Sequence, residues 1–466
     1  MNIVSLFSSF VNYLDEILEN SSISMHDLES GISLATYQLN LDTLKNILEY
    51  LDLEYKNSKE RKDIYHVQET RERTLITSLG LITFNKTYYR SKQKENGKHT
   101  YYSYLEDYLG ISKWAKMTLK AEVNLVNRAL ENGMSWSSRN SIPNYHISRQ
   151  TISTKIKLIN YNLEEEIEKA DYIPEVLYIE ADEVHANLQR KKKKGKKNRI
   201  VPVILTHEGH KEDFVKKKEL KNTHYLASSI LKTELLWDQT YNYLDKRYDL
   251  DKVKYIFISG DGASWIKQYC MTFPNAIYVL DKFHYRKALN YIFKNEPIIT
   301  NIADSYLRNY RINDFKILVK AQIEKYPNQK KYMVRKQNYL ANNIEGIINQ
   351  HHPMYKCPAS MEGHISNKYA KFVTSRPHAY SEDGLENTVL LLTMKANNIP
   401  LTEELYHRFK YGDSTYKNLN LEKFISEFKL LVKHFYENII ESYSVDNSSF
   451  TQQDNYRLDY FLNNRP

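Results

Sequence analysis

Four short apolar runs between residues 176 and 280 limit what this chain can fold into: Val176-Leu177-Tyr178-Ile179, Ile200-Val201-Pro202-Val203-Ile204-Leu205, Tyr255-Ile256-Phe257-Ile258 and Ala276-Ile277-Tyr278-Val279-Leu280. Runs this short, rich in β-branched and aromatic residues, read as buried strands rather than helices. Val184 to Gln189 reads as a further strand, second in order. Leu226, Ile230, Leu231, Leu235 and Leu236 recur at helical spacing ahead of Tyr255. A helix over Trp265 to Met271 separates the last two strands, and helical spacing then continues to about residue 350. Strand, strand, strand, helix, strand, helix, strand predicts an α/β chain built on a mixed sheet.

Acidic side chains stand where two of these strands end and where a later helix opens. They are Asp182 in Tyr178-Ile179-Glu180-Ala181-Asp182, Asp261 in Ile258-Ser259-Gly260-Asp261-Gly262, and Glu362 in Ser360-Met361-Glu362-Gly363-His364. Any single Asp at a strand end is more often a turn or cap residue. Two at strand ends with a third from a helix can hold two divalent cations about 3.5–4 Å apart for in-line attack on a phosphodiester. Metal-dependent cutting and joining of DNA is therefore the expected chemistry.

Charge is placed to match. The first 60 residues carry ten acidic and three basic side chains, so residues 61–466 hold +16 of a chain whose net charge is +9. A basic excess is where a polyanion binds, although a Lys-, Asn-, Ile- and Tyr-rich composition also follows from AT-rich coding. Eight of the ten residues from Arg190 to Arg199 are basic, at the connection between the second and third strands. Such a run is a solvated loop or, beside a metal site, a clamp on the DNA backbone. Two cysteines, Cys270 and Cys357, are too few for a disulfide framework or a cysteine zinc site, which predicts a reducing, cytoplasmic setting. No apolar run is long enough to span a membrane, and none of the 13 glycines forms a phosphate-binding P-loop, so neither a membrane partner nor a nucleotide cofactor is expected.

The flanks divide by pattern. Residues 3–56 show helical spacing at Leu41, Leu44, Ile47, Leu48 and Leu51, predicting two or three amphipathic helices for self-association or for packing on the next domain. Thr74 to Thr77 and Leu81 to Phe84 flank Gly80 as a β-hairpin. Leu119, Val123, Val126 and Leu130 predict a helix ended by Gly133; a short second segment follows, and a third helix starts at Ser148, a good N-cap. Arg149, Gln150, Thr151, Ser153 and Lys155 would line an exposed face of that third helix. This is either a helix-turn-helix surface for a major groove or a solvated polar face.

Asp281 and His284 lie one helical turn apart, so the carboxylate either orients the imidazole or simply caps a helix. His207 and His210 flank Gly209 in His207-Glu208-Gly209-His210, which reads as a loop with two exposed histidines rather than a metal pair.

Four segments carry a resemblance: Ile179-Glu180-Ala181-Asp182; Gly260-Asp261-Gly262-Ala263 with Trp265-Ile266-Lys267; Leu280-Asp281 with Phe283-His284 and Lys287; and Glu362-Gly363-His364-Ile365 with Ser375-Arg376 beyond. In these, most of the chain resembles DDE-class transposases of bacterial insertion sequences, of the ISLre type and more distantly the Mutator-like families. The resemblance implies a ribonuclease H-like core interrupted by a helical insertion, which fits the 101-residue interval from Asp261 to Glu362. Residue patterns and the resemblance together divide the chain at 1–62, 63–115, 116–170, 171–284, 285–358, 359–417 and 418–466: acidic helical region, hairpin region, helix-turn-helix-like region, first part of the core, insertion, second part of the core, and a helical tail. The resemblance also bears on the site. It implies two Mg²⁺ ions, replaceable by Mn²⁺, with Asp182 bridging and Asp261 and Glu362 holding one each, assisted by Asp281 and His284. Arg149, Gln150, Lys155, Arg190, Lys191, Lys192, Lys193, Lys194, Lys196, Lys197, Arg199, Lys267 and Arg376 would hold double-stranded DNA at element ends and target, in a homodimer or larger assembly. Two departures stand out: Tyr380 where Trp is expected, and the bulky His185 near Asp182. The alternatives are a nuclease that cuts without joining and a non-catalytic relic; loss of a carboxylate would mark the relic, and none is lost.

Overall fold

The computed structural model describes Asn12 and residues 24–159, 167–189, 198–211, 219–294, 296–374 and 379–412. The tail past residue 412 and most of the basic run lie outside the described residues. Two units are resolved. The larger comprises residues 1–47, 72–84 and 115–413, and the smaller 48–71, 85–114 and 414–466.

The larger unit is built on a five-stranded sheet of β4 (Val176–Asn187), β5 (Asn198–His207), β6 (His224–Ala227), β7 (Tyr255–Gly260) and β8 (Ala276–Leu280), in the order β6-β5-β4-β7-β8. β4 runs antiparallel to β5 and β5 antiparallel to β6, whereas β4, β7 and β8 are parallel. The sheet is thus mixed α/β, as the element order predicts. On one face, Leu177, Ile179, Ile256 and Ile258 pack with Leu236, Trp237 and Leu244 of a helix over Thr233–Tyr248. On the other, Val184, Val203 and Leu205 share one apolar cluster with helices α2 (Leu119–Asn132), α4 (Arg149–Lys157) and α11 (Glu382–Ala396). Helix α1 is Met25–Asn57, and α3 is the short Met134–Asn140 between α2 and α4. In order, α5 is Thr233–Tyr248, α6 Lys282–Ile292, α7 Pro297–Arg308, α8 Ile312–Lys325, α9 Lys330–Asn342, α10 Met361–Ile365 and α12 Glu403–Tyr411. Helices α6 to α9 close around Leu289, Phe293, Phe315, Val319 and Leu340, a core of their own between β8 and α10.

Three expectations change. Val176–Ile179 and Val184–Gln189 are one strand, β4, paired without interruption from Tyr178↔His207 to Asn187↔Asn198. The polar stretch Glu180 to Glu183 resembles a turn in sequence, yet its even-numbered members share a face with Tyr178 and Val184. Asp182 is consequently mid-strand. Leu226 lies in β6, and the helix assigned to it begins only at Thr233. In the N-terminal region, Met25–Asn57 is one continuous 33-residue helix, a short helix Lys59–Ile64 follows it, and the rest of the predicted helical stretch, residues 3–23 apart from Asn12, lies outside the described residues.

The smaller unit includes parts of α1 and of the hairpin strands β1 (Tyr65–Thr77) and β2 (Gly80–Glu95), with β3 (Lys98–Tyr102). Tyrosines hold it: Tyr55 stacks on Tyr104 with ring centroids 4.1 Å apart, and Tyr65 on Tyr102 at 5.1 Å. Thr87 donates its hydroxyl proton to the buried Asp52 at 2.6 Å.

Candidate active site

Register brings the acids together. Ala181 pairs with Gly260 and Gly260 with Leu280, so residues 182, 261 and 281 are neighbours across three parallel strand positions. Gly260 permits this closeness: a Cβ there would lie 2.5 Å from Ile266 Cδ1 and 3.0 Å from the Ala181 carbonyl. Gly262 turns the chain at φ +92°, a conformation that favours glycine, and a Cβ would meet the Asn343 side chain at 2.8 Å. In that turn, Asp261 Oδ1 accepts the Ala263 N–H at 2.9 Å.

Glu362 arrives from the first turn of α10, which packs Met361 and Ile365 into the apolar cluster that also holds Val184. One ligand atom each of Asp182, His284 and Glu362 lies within 4.8 Å of the others. This set contains two of the three expected carboxylates, with His284 in the third place. Asp261 stands close enough that its charge, with that of Glu362, adds to the burial that pushes the Asp182 carboxyl up to about 6 from an ordinary 3.8. Asp182 Oδ1 also accepts the Glu183 N–H at 2.8 Å.

Asp281 caps α6, accepting the N–H groups of Phe283 at 2.7 Å and His284 at 3.2 Å, and burial raises its carboxyl above the usual range. It therefore fixes the helix that carries His284 rather than the imidazole itself. The buried His284 Nε2 has no hydrogen-bond partner among the described residues, and a buried orphan of this kind calls for a ligand. Two carboxylates, an unpartnered imidazole nitrogen and a third carboxylate alongside fit a divalent cation, and the oxygen donors are those Mg²⁺ and Mn²⁺ take.

Glu180 and His207 form a buried support behind this site. Glu180 accepts from His207 Nε2 at 3.0 Å and from the Ser360 N–H at 2.8 Å, and both side chains are almost fully buried. Gly209 donates its N–H to His207 Nδ1 at 3.0 Å, which places the ring proton on Nε2, toward Glu180. His210 is half-buried, with Nε2 3.3 Å from Cys357 Sγ. The expectation of two exposed histidines is thus wrong at both. The signal available was the length of the apolar run before them, since β5 continues through Thr206 and His207 and stays buried to its end.

Other predicted residues are placed as follows. Ser148 caps α4, accepting the Thr151 N–H at 3.0 Å, and Arg149 and Gln150 are exposed. Lys155 turns inward instead, pairing with the buried Glu122, which also takes Lys410 at 2.9 Å. Lys267 is likewise drawn in, donating to the Asn342 carbonyl at 2.9 Å, and burial lowers its ammonium below the usual range. Arg199 is half-buried near the start of β5. Arg190 to Lys197 and Arg376 lie outside the described residues. His185 points to the sheet face opposite Asp182 and is exposed. Tyr380 is buried, its N–H on the Asn187 carbonyl at 2.9 Å and its hydroxyl on the Phe372 carbonyl at 3.1 Å, so it extends the end of β4.

An uncharacterised protein family, UPF0236, matches residues 18–407. The chain belongs to the UPF0236 family. Among its relatives is a UPF0236 protein of Caldanaerobacter subterraneus subsp. tengcongensis, 30% identical over 414 residues, covering 85% of this chain and 85% of that one. Another from the same strain is 30% identical over 412 residues, covering 86% and 84%. A solved structure, the Drosophila P element transposase strand transfer complex, aligns over 65% of this chain and 83% of that one at 10% identity with a TM-score of 0.24. No helix among the described residues of this UPF0236 protein is long and apolar enough to cross a membrane.

The raised Asp182 carboxyl has a stability consequence. Its folded-state value lies above the unfolded one, so charging it at neutral pH destabilises the metal-free fold. That cost is full above about pH 6 and disappears as pH falls below 3.8. Asp182→Asn is expected to raise the melting temperature of the chelator-treated protein at pH 7.5 by about 2–4 °C, with a smaller gain at pH 5. Scanning fluorimetry at the two pH values checks this. An unchanged or lower melting temperature at pH 7.5 would mean that Asp182 is not under electrostatic strain.

Proposed function

We propose that this UPF0236 protein is a DDE-class transposase of a bacterial insertion sequence, with a ribonuclease H-like core that cuts and joins DNA at element ends. The observation that carries this is the meeting of Asp182, Glu362 and His284 within 4.8 Å, with Asp261 beside Asp182 by register. The sheet supports it: numbered along the chain its strands run 3-2-1-4-5 with the second antiparallel to the first, the arrangement expected of a ribonuclease H-like fold. So does the all-helical segment between β8 and the glutamate helix. One relative carries a name that joins eleven locus designations of one strain, and a gene that copies itself to new loci leads to such a name.

Asp182, Asp261 and Glu362 would hold two Mg²⁺ or Mn²⁺ ions. Bound there, the ions supply Lewis acidity at the scissile phosphate and ease deprotonation of water or a DNA 3′-hydroxyl. Asp281 fixes the first turn of α6 so that His284 presents Nε2 to the same space. Arg149 and Gln150 lie exposed for duplex contact, and the basic excess after residue 60 makes binding salt-sensitive. Two element ends must be held at once, so double-stranded DNA and a homodimer or larger assembly belong to the proposal.

The test is incubation of the purified protein with Mg²⁺ or Mn²⁺ and a plasmid carrying the sequences that flank its gene. Metal-dependent cuts at the element ends followed by joined products are expected. Cuts without joining would make it a nuclease, and binding without cuts a non-catalytic relic.

A further inference from the structure

A groove of about 1070 Å³ runs along the outer face of α6 and the start of α9. Its floor begins one residue after Asp281. Among the described residues, four cationic side chains line it, Lys282, Arg286, Lys287 and Lys294, and no carboxylate does. Lys282, Lys287 and Lys294 form no ion pair among the described residues, while Arg286 has a 3.4 Å contact with Asp304, itself held by Arg308 at 2.6 Å. Between the cations stand Phe283, Tyr291 and Tyr332, 48%, 40% and 58% exposed. Phe283 and Tyr291 lie on α6 away from the face that supplies Tyr285, Leu289 and Ile292 to the core, and Tyr332 lies in the first turn of α9.

Cations without counter-charges select phosphates, and exposed rings select flat π-faces. A duplex hides its base faces and shows only its backbone and edges, so a groove with both features suits a strand whose bases are unpaired. Phe283 links the groove to the metal site, its ring lying edge-on to the His284 ring at 5.3 Å between centroids. We infer that this groove binds unpaired nucleotides of the DNA strand that leaves the metal site, stacking bases on Phe283, Tyr291 and Tyr332 with Lys282, Lys287 and Lys294 on the phosphates. The identity of the strand rests on the DNA-processing function proposed above; the chemistry of the groove does not.

The test measures equilibrium binding of the full chain, in chelator so that nothing is cut, to fluorescent duplexes with and without a short single-stranded overhang. The overhang carries 2-aminopurine, whose emission falls when it stacks on an aromatic ring. Expected are tighter binding of the overhang duplex, by about tenfold, and quenching of the probe. Tyr291→Ala and Tyr332→Ala, both at exposed positions, should each erase most of that preference while leaving blunt-duplex affinity unchanged. Equal affinity for the two duplexes, or variants that keep the preference, would overturn the groove assignment and leave the transposase proposal standing. Displacement of the overhang by an equal concentration of free mononucleotide would also overturn it, since the groove would then be a pocket for a small nucleotide. Failure to bind either duplex would overturn both.

Discussion

Asp182→Asn, Asp261→Asn and Glu362→Gln are each expected to reduce strand cleavage by roughly a thousandfold or more while leaving DNA affinity within about twofold. A cation held by a shared set of carboxylates is lost or misplaced when one becomes an amide, and its Lewis acidity goes with it. Affinity for DNA depends on phosphates met by lysine and arginine, and none of these three acids supplies such a contact. The geometry also ranks the variants. Asp182 lies between Asp261 on the neighbouring strand and Glu362 on α10, so its loss disturbs every partner and no activity should return at high Mn²⁺. Glu362 is exposed and comes from a five-residue helix, so Glu362→Gln should recover most in Mn²⁺. Single-turnover cleavage of an end-labelled duplex, with binding measured in parallel, gives both numbers. Full activity in any one variant would remove that residue from the site.

Glu180→Ala should produce the largest loss of stability among the residues near the site. The Glu180 carboxylate is buried and accepts two donors, His207 Nε2–H and the Ser360 N–H. Removing it strands both donors in the interior, at a cost of about 3 kcal/mol or more, which is a fall of several degrees in melting temperature. The second donor gives the change a functional side as well. Ser360 is the N-cap position of the helix that presents Glu362, so Glu180 ties β4, which bears Asp182, to the helix that bears the opposing carboxylate. Glu180 is thus a positioning residue. In Glu180→Gln, which keeps the shape and one acceptor, the fold should largely survive while the Mn²⁺ concentration for half-maximal cleavage rises severalfold. A purely structural role would lower the melting temperature and leave that concentration where it was, when measured well below the transition.

Asp261 and Glu362 were legible in the sequence because they sit at element boundaries, whereas Asp182, read as a strand end, lies within β4. Asp261 follows an apolar run and lies between Gly260, which close packing requires, and Gly262, which the turn requires, and Glu362 opens a helix where a helix is found. Ser148 caps its helix as its residue type predicts. What sequence did not yield depends on tertiary contacts. Glu180 and His207 look like polar surface residues until β4 and β5 pair and bury them against each other, since either alone would be costly to bury. Lys155 sits at a position that helical spacing shares with exposed residues, and only the buried Glu122 of α2 explains its turn inward. For Asp281 and His284 the spacing allows either an oriented imidazole or a helix cap, and it is the cap that forms: the backbone takes the carboxylate, and Nε2 faces the candidate site. β6 is four residues long, and Leu226 with Ile230 mimics helical spacing over the gap that follows it.

The most direct test of the account is the number and coupling of Mn²⁺ ions bound by the protein on an uncleavable duplex of the element end, read by electron paramagnetic resonance during a titration. Two ions per chain, spin-coupled as expected at a separation of about 3.5–4 Å, and reduced to at most one uncoupled ion in Asp261→Asn, are predicted. A single ion whose binding is unaltered by Asp261→Asn would contradict the two-metal site, and no bound Mn²⁺ at all would contradict a metal site at Asp182, Asp261 and Glu362 altogether.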